Sequence, residues 1–272
     1  MAKKRMLVIF AVLLILAIAV VLTGTVFTLQ KAKLFFVMYE EDSQSTVYID
    51  APPQYNSITT DSLIKDFKGK SVFFLSTKSL IKSIHEQYPT LRVVGTQRVF
   101  PSTVEIFVTE RIAVAYVYLS GYYYLVDSNL FVLERSIAPY VGYILLNLND
   151  CLKDTQNIGK PLVFNEKAEA ELNLAISDTL DALWAHYYDY VEMPNLISTI
   201  SLGVYEDCDS IVIQTKTGAR IWIVNPKTQL LDKVNGALSV YTSNVDGDHT
   251  GQNVNIYSYD DPLTSEIITT VE

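Results

Sequence analysis

Three histidines, two cysteines and an excess of carboxylates are the residues of this 272-residue chain that could do chemistry. His85 stands beside Lys82 and Glu86, and His186 lies between Ala185 and Tyr187. His249 falls in the loop DGDHTG with Asp246 and Asp248. No two histidines share a metal-binding spacing such as HExxH. Two cysteines and scattered histidines do not supply a structural zinc site. Asp246–Gly247–Asp248 lacks the further oxygens, the glycine and the glutamate of an EF-hand loop, so a solvated turn is the simpler reading. Ser201 and Gly203 do not form the GxSxG elbow that sets up a nucleophilic serine. Gly69–Lys70–Ser71 carries the tail of a phosphate loop without its upstream glycine, and it follows a helix instead of a strand. Acidic runs such as Glu40–Glu41–Asp42 and the pair Asp207/Asp209 read as solvated surface. The expectation is a protein with no catalytic, cofactor-binding or metal residues, and therefore not an enzyme.

Charge narrows the partners. The chain carries 21 basic and 30 acidic side chains, a net of −9. Without Lys3, Lys4 and Arg5 the balance is 18 − 30 = −12. An acidic surface with no basic, aromatic-interleaved stripe repels nucleic acid. Cys151 and Cys208 could be joined in an oxidising compartment or remain as separate thiols; their separation in sequence does not decide it.

Positioning begins with the first thirty residues. Residues 1–5 read MAKKR, a short basic tail, and MLVIFAVLLILAIAVVL over 6–22 has no charged or polar side chain. The uncharged stretch extends to Gln30. A bilayer core takes about 20 apolar residues, whereas the apolar core of a cleaved leader is about 7–15 long. The run predicts an uncleaved transmembrane helix over 6–28. The adjoining basic cluster predicts a cytoplasmic N-terminus with the rest outside. Residues 29–45 read as a juxtamembrane connector.

The remainder reads as two folded parts. Over 46–112, TVYID gives a strand stopped by Pro52 and Pro53. A short helix with Leu63, Ile64 and Phe67 on one side ends at Gly69, and a second follows Ser76 with Leu80, Ile81, Ile84 and Tyr88 as its apolar stripe. Two strands then meet at Pro101–Ser102, the second alternating Val104, Ile106 and Val108 with Glu105, Phe107 and Thr109. The order is β-α-α-β-β. Residues 113–259 read as a β domain. Hairpins turn at Ser120–Gly121 and Asp127–Asn129, a long helix spans 165–191, and three further strands, a helix after Pro226 and a last strand near 253–259 follow. Residues 260–272 form a tail that frays or pairs onto an edge. The predicted fold class is α+β: a transmembrane helix, a small β-α-α-β-β module, then a mixed α/β domain with a mainly antiparallel sheet. The last strand, with Val254, Ile256, Tyr257 and Tyr259, is the candidate partner-binding edge, where unpaired backbone groups would accept a strand. The alternative is that it lies buried within its own sheet.

Three stretches carry a resemblance. KGKSVFFLSTKSLIKSI holds Gly69, Ser71, Val72, Phe73 and Phe74 in a helix–G-x-N/S-h-F–helix arrangement. RVFPSTVEIFVTER places Arg98, Pro101, Val104, Ile106, Val108, Glu110 and Arg111 in the order R-x-x-P-x-x-h-x-I-x-V-x-E-R. LVDSNLFV follows, with Asp127 at the start of a hairpin. These motifs, and the layout of tail, anchor, small module and larger β domain, resemble the FtsQ/DivIB family of bacterial cell-division proteins. Gly69, Phe73, Phe74, Arg98, Pro101, Glu110, Arg111 and Asp127 are the signature positions. The chain departs from the pattern at Ala51–Pro52, at Ile112–Ala113, at Leu130 and at Asn225. Where Leu130 replaces glycine, either the turn is reshaped or Asn129 takes the positive φ. The resemblance implies that residues 46–112 form a POTRA-type module. It also implies a non-enzymatic division scaffold at the septum, held in the cell membrane by a single pass. That scaffold binds FtsL-like and FtsB/DivIC-like coiled-coil proteins and, through them, a septal peptidoglycan synthase complex, with no cofactor, nucleic acid or small-molecule substrate. The alternatives are another POTRA-bearing bitopic envelope scaffold and a cell-envelope enzyme. Glu110 and Arg111 would either lock the small module onto the β domain or face a partner.

Overall fold

The computed structural model describes residues 2–40, 45–58, 60–148, 151–165, 167–187, 193–245, 254–261, 264 and 266–271. The chain divides into two compact units, residues 1–111 and 112–272.

The first unit opens with α1 (Ala2–Thr25). Among the described residues, no helix is long and apolar enough to cross a membrane. The expectation of a transmembrane helix over 6–28 is corrected accordingly, and with it the fold class built on that helix and the single-pass membrane placement. The chain leaves the helix before residue 28, because Thr28 and Leu29 are already buried in the unit that follows.

That unit is built from β1 (Lys31–Glu40), β2 (Ser45–Ile49), a 3-10 turn at Pro53–Tyr55, α2 (Thr60–Leu63), α3 (Thr77–Gln87), β3 (Leu91–Val99) and β4 (Thr103–Glu110). Its sheet runs β2-β1-β4-β3, with β1 parallel to β4 and the other two pairings antiparallel. The stretch expected to be a connector is thus a strand at the centre of the sheet, and the module has four strands where β-α-α-β-β supplied three. Lys31, Lys33 and Glu40 disguise it, while Ala32, Phe36 and Val37 turn into the structure and are buried. On β4, burial follows the alternation of the sequence: Val104, Ile106 and Val108 face the core. They meet Leu63 from α2, Ile64 and Phe67 from the turns that follow it, and Leu80 and Ile84 from α3. Ser76 caps α3, its side-chain oxygen accepting from the Ser79 N–H. Such a cap is worth about 1 kcal/mol. Gly69 ends the α2 region at φ +82°, a conformation that costs glycine little. Its N–H donates to the Leu29 carbonyl, and the Lys70 carbonyl accepts from the Leu29 N–H.

The second unit holds β5 (Ala113–Leu119), β6 (Tyr122–Asp127), β7 (Val132–Ser136), β8 (Ile144–Asn147), α4 (Lys167–Tyr187), α5 (Met193–Leu196), β9 (Ile197–Tyr205), β10 (Cys208–Thr215), β11 (Arg220–Val224), α6 (Leu230–Val245), β12 (Asn255–Asp260) and β13 (Ile267–Val271). One nine-stranded sheet runs β13-β12-β11-β10-β9-β8-β5-β6-β7. It is mixed: β5–β8, β8–β9 and β11–β12 are parallel and the rest antiparallel. One sheet face packs against α4 and α6 through Ile176, Leu180, Leu183, Val234, Leu238 and their strand partners. The long loop after β8 is held by Gln156, which is buried. Its Nε2 donates to the Lys153 and Val163 carbonyls, and its Oε1 accepts from the Val163 N–H.

The hairpin at Asp127 resolves in neither of the two expected ways. Leu130 itself takes the left-handed conformation, at φ 56°. Its side chain is fully buried in the core of the unit. Asp127 Oδ1 accepts from the Phe131 N–H at 2.8 Å, and the Leu130 N–H donates to the Asp127 carbonyl at 2.9 Å. The conformational cost of roughly 1–2 kcal/mol is offset by burying a leucine, whose loss costs about 2–5 kcal/mol. Leu130→Gly should therefore lower stability by about 2 kcal/mol even though it restores the residue type that relaxes the backbone. Urea unfolding of the two chains checks this.

Candidate partner-binding site

The chemistry-bearing residues do not converge. Among the described residues no group of three or more His, Cys, Asp or Glu side chains could hold a metal. His249, Asp246 and Asp248 lie outside the described residues, as does the side chain of His186. No disulfide joins Cys151 and Cys208. At Gly69–Lys70–Ser71 the amides are committed: Gly69 donates to the Leu29 carbonyl and Lys70 to the Phe67 carbonyl, and the Lys70 ammonium sits 5.0 Å over the Phe67 ring. Such a loop has no free N–H groups at those two positions with which to cradle phosphate.

The signature residues of the first unit brace it. Arg98, on β3, donates to the Phe73 carbonyl at 3.2 Å and the Leu75 carbonyl at 2.8 Å, closing the turn before α3. That turn presents aromatic rings. Phe73 packs on Phe27 and Phe100 at 5.0 and 4.8 Å, yet remains 41% exposed, and Phe74 beside it is 86% exposed. Pro101 occupies the β3–β4 turn after a cis peptide bond. Glu110, at the end of β4, accepts from Gln54 Nε2 at 2.7 Å and Tyr55 OH at 3.2 Å. Its carboxylate therefore ties the Pro53–Tyr55 turn to the sheet within its own unit. Tyr55 OH also donates to Thr90 Oγ1 at 2.8 Å, and burial raises its pKa above the ordinary value. Arg111 donates its backbone N–H to the Thr90 carbonyl. His85 accepts from the Val93 N–H at 3.4 Å, and burial, helped by the charge of Arg111, pushes its pKa down.

In the second unit the expected edge is not an edge. β12 lies between β11 and β13, pairing with both. Ile256 faces the core, and Tyr257 is buried on the other face against Tyr205 and Trp222, its ring centroid 4.5 and 6.0 Å from theirs. Val254 and Tyr259 are half-buried. The strand that does end the sheet comes from the segment read as a tail: β13, the sequence IITTV. Its five residues are half-buried or exposed, and it pairs on one side only. At the opposite end of the sheet the outermost strand is β7.

A residue that sequence reading passed over holds this end of the sheet. Lys233 is 0% exposed. Its Nζ donates to the Val224 and Asn225 carbonyls, to Thr228 Oγ1 and to Asp260 Oδ2, all within 3.0 Å. It joins α6 to the ends of β11 and β12. Asn225 takes φ 47°, which asparagine tolerates better than most residues. Burial pushes the Asp260 carboxyl up, but hydrogen bonds from Lys233 and Thr228 and the lysine charge outweigh it and hold its pKa below the ordinary 3.8. The signal was present in the sequence: Lys233 occupies an apolar-stripe position of the helix, three residues after Leu230 and four before Ala237.

No family model matches the chain, and no curated protein matches it.

Two outcomes are expected. Lys233→Met leaves a partly buried carboxylate and two carbonyls without their donor, so the second unit should lose about 3 kcal/mol, read as a lowered urea midpoint. The first unit should weaken in mild acid. The neutral His85 imidazole is favoured in the folded chain, so its contribution is whole above the ordinary value of 6.5 and falls as pH drops through the lower folded value. Unfolding midpoints between pH 8 and 5 should show this slope, and His85→Gln should reduce it.

Proposed function

We propose that this chain is a non-enzymatic scaffold that recruits other proteins by strand addition, of the division-machinery kind that its FtsQ/DivIB-like motifs imply. FtsL-like and FtsB/DivIC-like coiled-coil proteins are the proposed partners, and regulation of septal peptidoglycan synthesis is the proposed role. The observation that carries the reading is β13. Five residues, Ile267, Ile268, Thr269, Thr270 and Val271, are all β-branched and carry no charge. Among the described residues, their ladder is satisfied on the β12 side alone. Such an edge offers alternating N–H and C=O groups to an extended segment of a partner. Charges, proline or bulges blunt edges that must stay unpaired, and none stands within this strand. The roles of Arg98, Glu110 and Asp127 support the same reading, because each holds a turn or strand end in place.

Adjacent residues of an antiparallel edge strand direct their amides to opposite sides. Of the pair Ile268→Pro and Thr269→Pro, one removes an amide that faces β12 and the other an amide that faces outward. Co-purification with the two coiled-coil partners, followed by a binding titration, is the test. The outward-facing substitution should weaken binding at least tenfold with the urea midpoint nearly unchanged. Unchanged binding in both variants would count against the edge as the docking site. Failure of both coiled-coil proteins to bind the unaltered chain would overturn the division assignment.

A further inference from the structure

We infer that the first unit carries a second, independent docking site: an extended peptide adds to the half of β1 that β2 leaves open. β2 pairs with β1 only from Phe36 to Glu40, while β4 on the other side pairs with Lys31 to Phe36. Among the described residues, 31–35 are therefore laddered on the β4 side alone. The loop that follows β2 does not complete the sheet. It makes its backbone bonds within itself, Tyr55 N–H to the Pro52 carbonyl, Asn56 N–H to the Pro53 carbonyl and Ile58 N–H to the Tyr55 carbonyl. Pro52 and Pro53 are the reason, since neither has an N–H to give a ladder.

Where β2 would have continued there is a cavity of about 330 Å³. Leu34 and Phe36 line it from β1, Ile49 and Asp50 from the end of β2, and Tyr55 and Ile58 from the loop. A strand continuing the line of β2 would run antiparallel to β1. One of its side chains would enter this space, where Leu34, Phe36, Ile49 and Ile58 suit a branched or aromatic residue. Its neighbours would point to the opposite face. There Phe35 stacks on Phe107 at 5.5 Å and meets Tyr48 at 5.6 Å, and the Tyr48 ring is 63% exposed.

Charge at the two ends sets direction. Lys31 is exposed at the start of β1, and Asp50 is exposed just past the end of β2. Lys33 is already paired with Glu105 at 3.1 Å. A peptide antiparallel to β1 would place its basic N-terminal end by Asp50 and an acidic residue near its C-terminal end by Lys31. The occupant is thus an extended segment with a basic start, an apolar centre and an acidic end.

The probe is the synthetic peptide Lys-Thr-Val-Phe-Val-Thr-Asp, acetylated and amidated, titrated against the full chain with amide hydrogen exchange as the readout. In the free chain, the amides among Lys31–Phe35 that face away from β4 should exchange fast, while the β2-paired half of β1 is protected. The peptide should bind saturably with Kd below about 1 mM, equivalent to roughly 4 kcal/mol, and slow those amides at least tenfold. Lys31→Glu should weaken it at least fivefold, and the same peptide ending in Lys should restore the loss. Protection of these amides in the free chain, absence of saturable binding, protection only elsewhere, or indifference to the charge swap would each overturn the site. The unit tested is not the one that carries β13, so a negative result leaves the reading of that edge standing.

Discussion

An ammonium group with no exposed surface fixes the far end of the second unit. Lys233 can be buried only because every proton it carries meets an acceptor, and those acceptors belong to different elements. The Val224 and Asn225 carbonyls come from the end of β11, and Asp260 from the end of β12. Satisfying one charge therefore fixes where two strands stop relative to α6. β12 held in this way is the template on which β13 pairs, residue by residue from Ile256↔Val271 to Asp260↔Ile267. The exposed edge of the sheet is a downstream consequence of that one buried group. The lysine gains the system no large net stability, since a buried ion pair largely offsets its own desolvation; what it supplies is position.

The first unit obeys a different constraint. Its strands have to find partners, and two prolines prevent β2 from running the length of β1. The loop that results is secured to the sheet by the Glu110 carboxylate through Gln54 and Tyr55. Arg98 does the same for the turn at Phe73–Leu75. Both charges act on neutral groups close by. The two units share a logic: polar side chains settle the ends of strands and the turns beside them.

Much of this was legible in residue patterns. The alternation at Val104, Ile106 and Val108, the serine cap of α3 and the hairpin at Asp127 are local, and each followed from its own stretch of chain. The strand β1 was not legible, because Lys31, Lys33 and Glu40 gave it the polarity of a connector. Its apolar residues face a core assembled from segments up to about seventy residues away. The apolar run of the first helix reads as a membrane span on hydropathy alone, while the chain turns into the folded unit by Thr28. Leu130 defied a rule of backbone preference because burial of its side chain outweighs the local cost. The candidate edge was displaced by one strand, since a segment of threonines and isoleucines near the C-terminus looks the same whether it frays or pairs.

The sequence by itself determined most of the segmentation of the chain into helices, strands and turns, β1 and β13 excepted, the acidic balance that disfavours nucleic acid, and the positions of the Arg98, Glu110 and Asp127 motifs. These depend on periodicity and on the covalent limits of proline and glycine, which act over a few residues. Tertiary structure alone decided which strand lies at the rim, what Lys233 is for, and where β1 is left half-paired. Each of those is a matter of long-range pairing. A backbone N–H carries no mark in the sequence to say whether another strand will reach it, and only the assembled sheet shows which of them remain open.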